Sequence, residues 1–286
     1  MKREPYGSLF YDAKTRSYDI LSRVRYLVAV MTMENPEAKR RRGIYLLPNL
    51  FTTAAMFGGF YAIIAAMNGK YVAAAIAVFI AMIFDGLDGR VARLTNTSSD
   101  FGAEFDSLSD MVSFGLAPAL VMYEWSLVAM KSMGWQWGKL GWLAAFFYAT
   151  TAALRLARFN TMIGTADKRF FQGLPSRTAA ALMMGFVWVM EELTITGEQV
   201  RILAFLLTII AGSLMVSNIS YYSFKDVDVR HKVPFLVLLG ILIIFILSTI
   251  APGKVLFGIA LVYSASGPLL TAWRRIRKFR RTRSQS

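Results

Sequence analysis

From about residue 46 onward the chain alternates long apolar runs with short polar ones, and the apolar runs are too long for the helices of a soluble core. Eight predicted spans follow, at approximately 46–68, 71–92, 107–130, 140–159, 174–193, 200–221, 233–250 and 254–273. Several reach the roughly 20 apolar residues that cross a ~30 Å hydrocarbon layer at 1.5 Å per residue. The tetrapeptide "APGK" at 251–254 leaves room only for a helical hairpin between the last two. One junction breaks the pattern: the apolar run "YVAAAIAVFIAMIF" (71–84) passes without a linker into "DGLDGRVARLTNTSSDFGAEFDSLSD" (85–110).

Composition agrees with the spans. Of 286 residues, 56% are apolar and 17% charged, too little charge to cover a soluble globule, so the fold class is an all-α polytopic membrane protein. The Lys and Arg residues are distributed one-sidedly: 27 of 32 fall in the two termini and in alternate loops, and only Lys70, Lys131, Lys139, Arg201 and Lys254 fall in the others. By the positive-inside rule both termini and the aspartate-rich segment face the cytoplasm.

The net charge of +14 therefore calls for no nucleic acid. "AKRRRG" and "RRIRKFRRTR" are juxtamembrane clusters suited to an anionic leaflet. Three regions result: a basic cytoplasmic extension at 1–44, in which 18–31 has the make-up of an interfacial amphipathic helix; a transmembrane domain at 45–273; and a basic cytoplasmic tail at 274–286. The start "MKREPYGSLF" lacks the apolar core of a signal peptide. No cysteine is present, which excludes disulfides and thiolate metal sites. His231, the only histidine, sits in the charged "KDVDVRHK" loop and reads as a solvated side chain. Trp135 and Trp137 beside Lys131 and Lys139 read as an interfacial belt on the outer side.

Ionisable side chains at membrane depth cost about 2.5–3.5 kcal/mol each on insertion scales, so a cluster of them points to function. Asp85 and Asp88 are three residues apart at the end of one helix; Asp106 and Asp110 are four apart at the start of the next. Each pair lies on one helical face. "TNTSS" at 95–99 is rich in turn and cap formers, so the second helix is expected to run to about Leu94 and the chain to reverse there. Adjacent antiparallel helices would then bring four carboxylates together.

Two like charges ~5 Å apart repel by about 3 kcal/mol at an effective dielectric near 20. Some of the four are protonated, or divalent cations bind. An all-oxygen site suits Mg²⁺ or Mn²⁺. Arg93 can offset part of the charge and can bind phosphate through its fork. Gly86 and Gly89, each costing a helix about 1 kcal/mol against Ala, suggest a ligand pressed against the backbone.

The pattern Asp85-x2-Asp88-Gly89-x2-Ala92-Arg93-x8-Gly102-x3-Asp106-x3-Asp110 resembles the complete signature of the CDP-alcohol phosphotransferases, at eight of eight specified positions. "YLLPNLFTTAAMFGGFYAI", "FDSLSDMVSFGLAPALVMYEWSL", "LRLARFN" (154–160), "FQGLPS" (171–176) and "NISYYSFKD" (218–226) are similar to the membrane-embedded bacterial phosphatidylserine synthase branch. The resemblance covers most of 45–226. It implies a six-helix membrane core, usually a homodimer, with two additional C-terminal transmembrane helices, in the bacterial cytoplasmic membrane. It implies transfer of the phosphatidyl group from CDP-diacylglycerol to L-serine with release of CMP. Asp85, Asp88, Asp106 and Asp110 would hold two divalent cations, with Asp110 also the general base. Asn49, Thr52, Gly89, Arg93 and Ser99 would hold CDP-diacylglycerol.

Serine brings a carboxylate, for which Arg155 and Arg158 are the candidates, with Gln172 and Ser176 nearby. These arginines are equally placed to act as topology anchors, and a phosphorylated acceptor such as glycerol 3-phosphate or inositol phosphate would attract them too. A membrane prenyltransferase also gathers aspartates around Mg²⁺ and a pyrophosphate, without requiring the Gly89, Ala92-Arg93 and Gly102 pattern. A cation transporter would spread its acidic residues near mid-membrane over several helices; here they cluster at one edge.

Overall fold

The computed structural model describes residues 36–95, 97, 99–161, 170–222 and 235–283. The segment 18–31 and the His231 loop lie outside them. The chain divides into two compact units, Met1–Leu46 and Leu47–Ser286. Of the first, the helical backbone from Pro36 is described; the second holds the bundle.

A helix stands at each of the eight expected positions: α1 (Pro36–Met67), α2 (Tyr71–Thr95), α3 (Asp100–Asp110) continuing into α4 (Ala117–Trp125), α5 (Trp135–Thr161), α6 (Ser176–Glu192), α7 (Arg201–Val216), α8 (Phe235–Ile250) and α9 (Pro252–Arg283). Among the described residues, five stretches are long and apolar enough to cross a membrane: Leu46–Met67, Tyr71–Thr95, Asp100–Met133, Trp135–Thr161 and Pro252–Thr271. The molecule is an all-α polytopic membrane protein. One short antiparallel ribbon accompanies the helices, β1 (Phe170–Gln172) pairing with β2 (Ser220–Tyr222).

On α1 small residues face inward and large ones outward. Ala55, Ala62, Ala65 and Ala66 are buried, whereas Leu50, Phe57, Phe60, Ile64 and Met67 are exposed at helical spacing. Lipid solvates large apolar side chains as well as the protein interior does, so helices gain by letting backbones approach through small residues. Gly58 and Gly59 show the limit. A Cβ on Gly58 would stand 3.1 Å from Ala77 O on α2, and one on Gly59 would stand 2.6 Å from the Ser113 Cα. The interface is also tied by hydroxyls: Ser109 donates to Thr52 O at 3.1 Å and Ser113 to Ala55 O at 3.0 Å.

Several boundaries differ from those the pattern predicts. The third helix begins at Asp100 rather than 107, because Ser99 caps it by accepting the Gly102 N–H. Glu104 therefore lies inside the helix. The sixth was expected to reach 221; it ends at Val216, where Ser217 turns extended and the chain enters the ribbon. The last helix continues to Arg283, so most of the expected basic tail is helical backbone.

The two C-terminal helices, joined through Ala251, differ from each other. Leu242 to Leu247 on α8 are all exposed, whereas α9 packs closely on α6. There a Cβ on Gly185 would lie 2.9 Å from the Phe257 Cα, and one on Gly253 would lie 2.9 Å from the Trp188 ring. At the far end from the aspartates, Lys139 Nζ lies 3.5 Å over the Trp135 ring.

Candidate active site

The aspartates meet as their helical spacing requires. Asp85 and Asp88 end the buried face of α2 and are 3% and 5% exposed; Asp106 and Asp110 lie one turn apart on α3. One carboxylate oxygen each from Asp85, Asp88 and Asp106 falls within 4.8 Å of the others. Asp110 adjoins this triad on the Asp85 side, where the two share the Arg177 guanidinium. Immediately after Asp110 the helix widens into a π-turn, Met111–Leu116, a distortion that recurs at functional positions. The Tyr148 hydroxyl donates to Phe114 O there at 3.1 Å.

The donor set fits a divalent cation. Asp106 Oδ1 and Asp110 Oδ1 are buried without a hydrogen-bond partner, and an unpartnered buried acceptor is costly. Three carboxylate oxygens gathered this closely can converge on one small ion, which would draw them further together. The oxygen-only chemistry favours a hard cation.

A cleft of about 200 Å³ opens beside the triad, and its lining includes Asn49, Thr52, Gly89, Arg93 and Ser99 together with Asp88 and Asp106. All five residues expected to hold the donor thus share one cavity. Thr52 is buried and donates to Asp88 Oδ2 at 2.8 Å, so it touches a carboxylate as well as lining the cleft. A Cβ on Gly102 would lie 3.2 Å from Ser99 Oγ and 3.5 Å from Asn49 Oδ1. The absence of a side chain at 102 leaves these two groups close together. Arg93 curls back towards Gly89, its Nη1 3.5 Å from where a Cβ would stand. Gly86 is exposed and outside the lining of the cleft, with nothing within 4 Å of its missing Cβ; no packing among the described residues requires a glycine there.

The cation held directly by the aspartates is not Arg93 but Arg177, one residue beyond "FQGLPS". Arg177 Nε lies 2.6 Å from Asp85 Oδ2, and Nη2 donates to Asp85 Oδ1 at 2.9 Å and stands 3.7 Å from Asp110 Oδ2. Its placement begins at Gly173. This residue has φ +78°, and a Cβ on it would fall 2.2 Å from Met215 O, so only glycine fits. The turn is pinned by Gly173 N–H to Ile219 O and Leu174 N–H to Leu214 O, both 2.9 Å. Pro175 then starts α6, and Arg177 projects from its first turn.

Of the expected acceptor residues, Arg158 donates to Gln172 Oε1 and, at 2.9 Å, to Asn218 Oδ1. "LRLARFN", "FQGLPS" and "NISYYSFKD" thus converge on one hydrogen-bonded junction at the ribbon. Asn160 extends it to α3 through Ser107 Oγ at 3.0 Å. Arg155 lies one turn before Arg158, with its Nε buried and unpartnered. Ser176 is buried at the start of α6.

The CDP-alcohol phosphatidyltransferase family model matches residues 45–215, which take in the cleft, all four aspartates and Arg177. A Helicobacter pylori (strain ATCC 700392 / 26695) protein named CDP-diacylglycerol–serine O-phosphatidyltransferase is 38% identical over 220 residues, covering 77% of this chain and 90% of that one. Proteins of the same name from Methanocaldococcus jannaschii and Mycobacterium tuberculosis (strain ATCC 25618 / H37Rv) are 40% and 38% identical. Those alignments cover 52% and 53% of this chain, and 63% and 52% of theirs. A family match across most of the bundle, joined to a relative aligned over nine-tenths of its length, carries the conclusion that this chain belongs to the CDP-alcohol phosphatidyltransferase family.

Proposed function

We propose that the protein is a phosphatidylserine synthase, transferring the phosphatidyl group of CDP-diacylglycerol to the hydroxyl of L-serine and releasing CMP. The observation that carries this reading is the three-carboxylate cluster opening into a cleft lined by Asn49, Thr52, Gly89, Arg93 and Ser99. The names of the relatives aligned above support serine as acceptor.

In this reading Asp85, Asp88, Asp106 and Asp110 hold two divalent cations, Mg²⁺ or Mn²⁺. Bound there, they would supply positive charge to the pyrophosphate and to the departing CMP. Thr52 orients Asp88. Asn49, Ser99 and Arg93 bind the cytidine diphosphate portion, with Gly89 admitting it close to the helix. The serine oxygen forms a bond to the phosphorus that bears diacylglycerol, the bond from that phosphorus to the CMP oxygen breaks, and the serine proton passes to Asp110. Its Oδ1, buried and unpartnered, suits that role.

Arg155 is the candidate for the serine carboxylate, because its buried Nε has no hydrogen-bond partner among the described residues. Arg158 and Gln172 act behind it by holding the ribbon, and Ser176 adjoins the helix start that carries Arg177. The site faces the cytoplasm of a bacterial inner membrane with both termini on that side, as the Lys and Arg distribution supports; the acyl chains remain in the bilayer. The protein is expected to act as a homodimer.

The experiment is CMP release from CDP-diacylglycerol by purified protein with Mg²⁺ or Mn²⁺, offered serine, glycerol 3-phosphate, inositol phosphate or no acceptor. Release that requires serine and forms phosphatidylserine supports the reading. Release with another alcohol overturns serine as acceptor, and no release overturns the enzyme.

A further inference from the structure

Asp85 takes part in two arrangements that compete for the same atoms. It contributes an oxygen to the triad with Asp88 and Asp106, and both its oxygens are engaged by the Arg177 fork. A cation centred in the triad would take one of those oxygens and stand within a few ångströms of the guanidinium. The two positive charges would repel at short range.

The partners differ in freedom. The Asp85 side chain is 2% exposed, whereas that of Arg177 is 46% exposed. The acid is fixed by the α2 backbone. The arginine reaches it from the first turn of α6 with part of its length in open space, and its guanidinium lies 5.9 Å from the Phe114 ring centre beside the π-turn. A long, half-exposed side chain can withdraw and return at little cost.

We propose that Arg177 is an exchangeable counter-ion: it neutralises Asp85 and Asp110 while no metal is bound, and yields Asp85 when a divalent cation enters the triad. This rests on the metal site of the preceding reading. Without such a group, four carboxylates gathered on two helix ends would destabilise the empty protein. With it, metal affinity is reduced because the ion must displace a charged hydrogen-bonded partner. Removing the arginine therefore has opposite effects on the two quantities, an outcome that a purely structural ion pair does not produce.

The test is Mn²⁺ binding to the full-length protein in detergent, followed by the paramagnetic resonance of free Mn²⁺ with no substrate present. Wild type is compared with Arg177→Gln, Arg177→Lys and Asp106→Asn. Arg177→Gln is expected to bind Mn²⁺ about tenfold more tightly, consistent with loss of a charged hydrogen-bonded competitor. Arg177→Lys should fall between it and wild type, and Asp106→Asn should bind more weakly. In EDTA, Arg177→Gln should melt below wild type and recover the difference on adding Mn²⁺. If it does not fold without metal, Arg177→Lys carries the affinity comparison. Unchanged or weaker Mn²⁺ binding by the arginine variants, with Asp106→Asn still weakened, overturns the exchange and leaves the metal site standing. Wild-type binding that Asp106→Asn does not alter overturns the metal site and the exchange together.

Discussion

Thr52 on α1 donates a 2.8 Å hydrogen bond to Asp88 on α2, while its own carbonyl accepts from Ser109 on α3 at 3.1 Å. One residue of the first helix is thereby tied to both acid-bearing helices. A hydroxyl has a single proton, and the Asp88 contact is shorter than the alternative to Pro48 O at 3.2 Å. Replacement by valine keeps the shape and removes the proton. With a charged acceptor, such a bond contributes about 1.5–3 kcal/mol, so Thr52→Val should weaken Mn²⁺ binding roughly tenfold or more, and Thr52→Ser should restore most of it. Wild-type affinity in Thr52→Val would remove Thr52 from the metal-supporting shell.

Gly86 and Gly59 are expected to respond oppositely to alanine. At Gly59 a Cβ meets backbone at 2.6 Å, so Gly59→Ala forces α1 and the π-turn apart and should cost about 1–3 kcal/mol, as core overpacking does. At Gly86 the added methyl meets nothing, and alanine is the better helix former by about 1 kcal/mol. Gly86→Ala should therefore leave melting unchanged or raised, and, since Gly86 lies outside the lining of the cleft, its effect on CDP-diacylglycerol binding tests whether a ligand presses on this position. Thermal unfolding in detergent beside a donor-binding titration checks both. Unimpaired donor binding by Gly86→Ala would show that the glycine serves neither packing nor ligand.

The parts of this site legible in the sequence were those governed by local periodicity. Spacings of three and four put each aspartate pair on one helical face, and the turn formers at 95–99 folded the two faces together. Arg177 was not legible. It lies 92 residues from Asp85, and counting basic residues by loop gave it the same standing as any topology anchor. The left-handed Gly173 that presents it could have been suspected from "QGLP". The partner that demands glycine, Met215 O, belongs to another helix. The ribbon escaped notice for a similar reason: strands of three residues carry no periodicity, and Phe170–Gln172 is extended because it pairs with Ser220–Tyr222. That pairing also ended the sixth helix early.

Arg155 and Arg158, one turn apart on α5, should separate by kinetics. Arg158 is committed to Gln172 and Asn218, so Arg158→Ala should loosen the ribbon and lower melting. Arg155 has a buried nitrogen with no hydrogen-bond partner among the described residues. Arg155→Lys keeps the charge but loses the planar fork that matches a carboxylate. It should raise the KM for serine about tenfold or more, with the KM for CDP-diacylglycerol within about twofold. Equal effects on both substrates would assign Arg155 to the framework instead.

Asp110 differs from the other three carboxylates in contributing no oxygen to the close triad, while retaining one buried, unpartnered oxygen and a 3.7 Å approach from Arg177. It is the last α-helical residue before the π-turn. A carboxylate held at the cluster's edge keeps a lone pair for a proton. Asp110→Asn preserves shape and removes that capacity, so turnover should fall by about 10²–10⁴, the usual contribution of a general base. CDP-diacylglycerol binding should stay near wild type. Asp88→Asn should lose more Mn²⁺ affinity than Asp110→Asn does, because Asp88 belongs to the close triad. If Asp110→Asn loses Mn²⁺ affinity to the same extent as Asp88→Asn and activity only in step with it, Asp110 serves as a ligand alone, and the serine proton must leave through another group.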